Sequence, residues 1–181
     1  MTPTLLAGES VALVGPPGVG KSAIAASLFR DRSLVERFDH NVAWIQLGAD
    51  ANVLALLSQL GASIGLPAEV LTGLQSVEAR MAAINEAIAD RPYLFVVDDA
   101  ENIDDALAFR LGGERSAHVL TTRQLGIAVD FSNSTQETAV PELAVSDGLE
   151  LLERFVPEVV RENRASAERL VRFVETRHAS G

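Results

Sequence analysis

Cysteine is absent from the 181 residues. That excludes disulfide staples, thiolate metal sites and cysteine nucleophiles. Basic residues are scarce: 15 Lys and Arg stand against 25 Asp and Glu, for a formal net charge of −10. A dedicated nucleic-acid binder needs a cationic face for phosphates, so this balance argues against one. A small anionic ligand is not excluded, because a few local cations overrule the global sign. Long apolar runs are missing too: none approaches the roughly 18–20 residues of a membrane-spanning helix. MTPTLLAGES has no basic stretch ahead of an apolar run, so no signal peptide is read there. The expectation is a cytoplasmic protein with no membrane role. Neither an internal repeat nor a low-complexity tract is visible. Histidine is thin and scattered: His40, His118 and His178 have no metal-ligand spacing and are read as structural or solvated.

What is present is a globular composition, 48% apolar and 22% charged. The length suits one domain with a real core, so residues 1–181 are read as a single domain. Ser10–Val14 (SVALV), Val42–Leu47 (VAWIQL), Tyr93–Val97 (YLFVV), His118–Thr122 (HVLTT) and Thr138–Val140 read as strands. The continuous apolar run YLFVV suits a parallel sheet covered on both faces. Between the strands, Ala23–Arg30 is helical in composition. Val53, Leu57, Leu60 and Ile64 recur at helical spacing, as do Val77, Met81, Ile84 and Ile88. Ile103, Leu107 and Leu111 mark a further helix broken at Gly112-Gly113. Val145, Leu149, Leu152 and Val156 mark another, and Ala167–Val174 a last one. Ser132–Gln136 reads as a polar turn. Strands alternating with helices predict an α/β, doubly wound domain. Trp44 is expected in the core, and Tyr93 as packing at a strand start. Glu101, Asp104 and Asp105 read as the solvated first turn of the next helix.

Residues 15–22, GPPGVGKS, fit G-x-x-x-x-G-K-[ST] in full, with a strand before and a helix after. Phosphate oxygens must meet several backbone N–H groups at once, so the loop must curl tightly and glycines must permit it. Pro16 and Pro17 offer no N–H, so the donors are expected from Gly18 onward, through Val19, Gly20, Lys21, Ser22 and Ala23, with Gly15 opening the turn. The helix starting near Lys21 adds its partial positive charge. Lys21 is expected at the β- and γ-phosphates and Ser22 on Mg²⁺. Such a loop wants a carboxylate at the end of a neighbouring strand. Asp98 ends YLFVV and is the candidate metal ligand. Asp99, next to it, is the candidate for orienting or deprotonating the attacking water. Arg123 follows Thr121-Thr122 at the C-terminal end of another strand, where ligands of open α/β sheets collect. Its guanidinium is the candidate γ-phosphate sensor.

In their order, GPPGVGKS, FDHNVAWIQLG, YLFVVDDA, HVLTTR and VPELAVSDGLELLERF resemble the motif series of the NB-ARC group of STAND ATPases, from about Gly8 to about Phe155. The resemblance implies a P-loop NTPase fold: a five-stranded parallel sheet ordered 2-3-4-1-5, with the sensor strand between the two Walker strands. It implies Mg²⁺-dependent binding of ATP and ADP and slow hydrolysis used as a conformational switch. By carry-over, Lys21 contacts phosphate, Ser22 and Asp98 the metal, Asp99 the water and Arg123 the γ-phosphate. Implied partners are other domains of the same protein and further copies of it on activation. Family members carry an adenine-covering segment upstream, where MTPTLLAGES stands here. They continue downstream into a helical domain, toward which residues 157–181 read as a helical extension. An excised core or a minimal relative is therefore expected. Two other functions compete: a small-molecule kinase and a non-hydrolysing, nucleotide-dependent interaction module. A kinase needs an arginine-bearing lid, and the 48–90 stretch offers only Arg80.

Overall fold

The computed structural model describes residues 1–132, 137–140 and 145–178. The chain divides into two compact units, one of Met1–Val14 with Lys21–Ala139, the other of Gly15–Gly20 with Val140–Gly181.

The first unit holds α1 (Thr2–Leu6), β1 (Val11–Val14), α2 (Lys21–Ser27), a 3₁₀ turn (Leu28–Arg30), α3 (Arg32–Arg37) and β2 (Val42–Gln46). It continues through α4 (Val53–Ser63), α5 (Ala68–Gly73), α6 (Val77–Ile88), β3 (Leu94–Ala100) and α7 (Ile103–Leu107). It closes with β4 (Ala117–Thr122), α8 (Leu125–Ser132) and β5 (Glu137–Ala139). The strands form one sheet in the order β2-β3-β4-β1-β5, and every neighbouring pair is parallel. This is the α/β doubly wound class. Side-chain oxygens start several helices where the pattern predicted them: Asn52 accepts Ala55 N–H at 3.0 Å, and Ser76 accepts Ala79 N–H at 3.1 Å.

A parallel sheet must be covered on both faces, and alternate strand residues show how. Ala12, Ala43, Ile45, Phe95, Val97 and Leu120 share one apolar cluster with Leu57 and Leu60 of α4, Ile84 and Ile88 of α6 and Phe131 of α8. The intervening residues Val11, Leu13, Leu94, Val96 and Val119 are buried as well. Trp44 departs from expectation: it is 37% exposed. β2 lies at the edge of the sheet, and the indole rests edge-on against Phe29 with ring centroids 5.5 Å apart. The helix expected from Ile103 to Leu111 stops at Leu107. Leu111 is nevertheless fully buried, so its helical spacing reflected burial and not helix. The sequence pattern marked no helix between β4 and β5, where Leu125–Ser132 form α8. Of the polar turn expected at Ser132–Gln136, Asn133–Gln136 lie outside the described residues.

The second unit carries α9 (Val145–Phe155), α10 (Pro157–Glu162) and α11 (Arg164–His178). Leu149, Val160, Ala167 and Val171 pack together as its small core. Of the motif VPELAVSDGLELLERF, Pro141–Ala144 lie outside the described residues.

His118 is structural, as expected, and its burial has a consequence. The ring stacks on Phe95 at 5.3 Å and meets Phe131 edge-on, and Nε2–H donates to Leu111 O at 2.9 Å. Burial, with a smaller contribution from Arg110, pushes its pKa down to about 4. The unfolded value, near 6.5, is higher, so the stability is complete above that pH and lost as pH falls toward 4. The loss amounts to about 3 kcal/mol. Denaturant midpoints between pH 7 and 4 check this: His118→Phe should flatten the slope, and an unchanged slope would show that other groups cause it.

Candidate functional site

In a parallel sheet all strands end on the same side, and the ends of β3 and β4 bring the predicted residues together. Ser22, in the first turn of α2, donates its hydroxyl to Asp98 Oδ1 at 2.7 Å across 76 residues of sequence. Asp98 is buried. Its Oδ1 accepts a second hydroxyl, that of Thr121, at 2.6 Å. Thr121 Oγ1 in turn accepts Asp99 N–H at 2.8 Å.

Lys21 lies among these groups and is only 7% exposed. α2 opens on Lys21 and leaves it buried. Burial lowers its pKa from the ordinary lysine value. The charge of Asp99 works the other way, Arg123 adds to the lowering, and Asp98 again opposes it. The ammonium thus feels two carboxylates and one guanidinium, and its positive charge is locally compensated.

Asp99 owes its place to a register change. Val97 pairs with Leu120 and Ala100 with Thr122, so three steps on β3 match two on β4. The extra residue makes a bulge. Asp99 takes it up with φ +57°, a left-handed conformation that aspartate tolerates better than most residues. Its carbonyl accepts Gly48 N–H at 2.9 Å.

Arg123 stands just beyond β4. Its guanidinium is paired with the carboxylate of Glu101, both side chains being partly exposed. Glu101 is therefore not part of a solvated helical turn: α7 begins at Ile103, with Asp104 and Asp105 in its first turn. Gln124 adds to this corner, its side-chain N–H donating to Glu101 O at 3.1 Å. Thr121, Glu101 and Gln124 were not read as site residues from the sequence. A hydroxyl two positions before Arg123 was the available signal for the first; the other two have only adjacency.

The loop Gly15–Gly20 joins β1 to α2. Gly18 and Gly20 adopt φ +77° and +93°, as a curled phosphate-type loop requires. At Gly15 a Cβ would lie 2.6 Å from Val140 O, so backbone approach forbids any side chain there. The oxygens of Ser22 and Asp98 are hard donors few in number, which fits Mg²⁺ better than a softer metal. Among the described residues no cluster of three or more His, Asp or Glu could hold a metal by protein ligands alone. Nor, among them, is any helix long and apolar enough to cross a membrane.

Arg80, the one basic residue in the 48–90 stretch, is engaged in packing. Its Nε donates to Leu74 O at 2.8 Å and its Nη1 to Leu54 O and Ser58 Oγ. It ties α6 to α4.

Known proteins agree with this picture. The NB-ARC domain profile matches residues 5–162. A protein of Arabidopsis thaliana named as a disease resistance protein is 29% identical over 119 residues. That match takes in 62% of this chain and 8% of the plant protein. Among solved structures, the Aeropyrum pernix ORC1 protein in complex with DNA superposes with a TM-score of 0.58 at 18% identity, over 83% of this chain and 44% of that one. A Pyrococcus horikoshii STAND protein with a tetratricopeptide repeat sensor gives 0.51 at 17% identity, over 91% and 25%. The chain thus spans under half the length of these relatives. At such identities the superpositions show the fold, that of P-loop NTPases, while the profile covers most of the sequence: the chain belongs to the NB-ARC family.

Proposed function

We propose that this chain is a nucleotide switch: it binds Mg-ATP and Mg-ADP, hydrolyses ATP slowly, and lets the bound nucleotide govern conformation and self-association within a longer regulatory protein. The observation that carries the reading is the group of Ser22, Asp98 and Thr121 hydrogen-bonded beside buried Lys21. Backbone N–H groups from Gly18 to Ala23 meet the phosphates, and Lys21 bridges the outer two. Ser22 and Asp98 hold Mg²⁺, which when bound neutralises phosphate charge as a Lewis acid. Asp99 accepts the proton of the attacking water at a carboxylate oxygen. Arg80, the one basic residue between positions 48 and 90, is spent on the α4–α6 packing, which favours the switch over a small-molecule kinase.

Arg123 distinguishes the nucleotides. In this reading it exchanges Glu101 for the γ-phosphate, which ADP lacks. A charge-assisted hydrogen bond contributes roughly 1.5–3 kcal/mol. Competition with Glu101 keeps the net near the lower end, so Arg123→Ala should weaken ATP about 10-fold and leave ADP nearly unchanged. Lysine should rescue only in part, since a point charge cannot reproduce the planar fork. Paired dissociation constants for ATP and ADP at one salt concentration test the reading. Equal weakening of both nucleotides would make Arg123 a general phosphate or structural residue, and no change in either a surface one.

A further inference from the structure

We propose that Thr121 is a positioning residue for both aspartates of the site, its single hydroxyl setting the carboxylate of Asp98 and the backbone of Asp99 together. The proposal rests on the assignment of Asp98 to the metal and Asp99 to the water.

The bulge in β3 takes the partly buried Asp99 N–H out of register with β4, and such a donor needs another partner. Thr121 Oγ1 accepts it at 2.8 Å. With that side of the oxygen occupied, the hydroxyl proton is directed to Asp98 Oδ1, 2.6 Å away. Asp98 Oδ1 also receives the Ser22 hydroxyl, so two donors hold one oxygen and fix the carboxylate plane. Thr121 is well placed to act as a rigid post. It sits on β4 between β3 and β1 and is 1% exposed, and β-branching restricts its χ1. Its neighbour does different work: the Thr122 hydroxyl donates to Ala100 O at 2.7 Å and accepts Gln124 N–H at 3.1 Å, closing the bulge from the far side. The arrangement therefore transmits one hydroxyl's position to two carboxylates. A displacement of about 1 Å in such groups can cost on the order of 100-fold in rate.

Valine has the shape of threonine and suits a strand, but neither donates nor accepts there. Thr121→Val is expected to lower the rate of phosphate release from ATP by about 10- to 100-fold. The Mg²⁺ concentration needed for half-maximal ATP binding should rise, while Mg²⁺-free ADP affinity stays within a few-fold. Thr121→Ser, which restores the hydroxyl, should return both readouts close to wild type. Three results overturn the proposal: a Thr121→Val rate and Mg²⁺ dependence equal to wild type, a loss of Mg²⁺-free ADP affinity as large as the loss of Mg-ATP affinity, or no rescue by serine. Asp98→Asn and Asp99→Asn are measured alongside. If those two leave Mg²⁺ dependence and turnover untouched, the assignment beneath the proposal has failed, and the proposal falls with it for that separate reason.

Discussion

Lys21→Ala should weaken Mg-ATP binding by about 100-fold. The lysine is buried near Asp98 and Asp99, and burial lowers its pKa. Charge-assisted hydrogen bonds from such a group contribute roughly 1.5–3 kcal/mol each, and two orders of magnitude in affinity correspond to about 2.7 kcal/mol. Because the stem is buried as well, alanine also removes packing, and Asp98 and Asp99 lose a compensating charge. Lys21→Met separates these effects, keeping the apolar stem without the charge. Calorimetric titration with Mg-ATP, paired with thermal melts of both variants, makes the measurement. Methionine should melt closer to wild type than alanine does, yet bind as weakly. Wild-type affinity in either variant would sink the phosphate-site reading.

Asp99→Asn should reduce ATP turnover by about 100- to 10,000-fold, the usual range for removing a general base. Mg-ATP binding should survive. The substitution is close to isosteric. The two hydrogen bonds that hold residue 99, from its N–H to Thr121 and from Gly48 to its carbonyl, belong to the backbone and persist. Asparagine also accepts the left-handed φ of +57° found at this position. The ability to take a proton is lost, together with the negative charge that opposes the lowering of the Lys21 pKa. Asp98→Asn, by contrast, should act on the Mg²⁺ dependence of binding, because Asp98 shares its Oδ1 with Ser22. Single-turnover phosphate release with saturating Mg-ATP decides the matter: equal rates for Asp99→Asn and wild type would remove the water-activating role.

Much of this chain was legible before any coordinates. The eight residues from Gly15 to Ser22 name their own chemistry, since few purposes require two glycines, a lysine and a hydroxyl at those spacings. Uninterrupted apolar runs marked β1 and β3, because strands buried on both faces cannot alternate. Recurrences at three and four residues marked α4, α6 and α9, because one helix face packs inward. These are local signals, and they specify element type, the parallel class of the sheet and the identity of Lys21, Ser22, Asp98, Asp99 and Arg123 as candidates.

Tertiary structure decided what each candidate touches. Leu111 kept helical spacing after its helix had ended, because burial alone satisfies the same pattern. Trp44 is exposed because β2 lies at the sheet edge, a position no composition reports. The bulge at Asp98 and Asp99 arises from the register of β3 against β4. That register brings Thr121 onto both aspartates and Glu101 onto Arg123, each pair about 22 residues apart. Local pattern records how a residue meets its near neighbours and the core. A hydrogen bond between distant side chains depends on strand order and register, which are properties of the assembled sheet, and only the folded chain contains them.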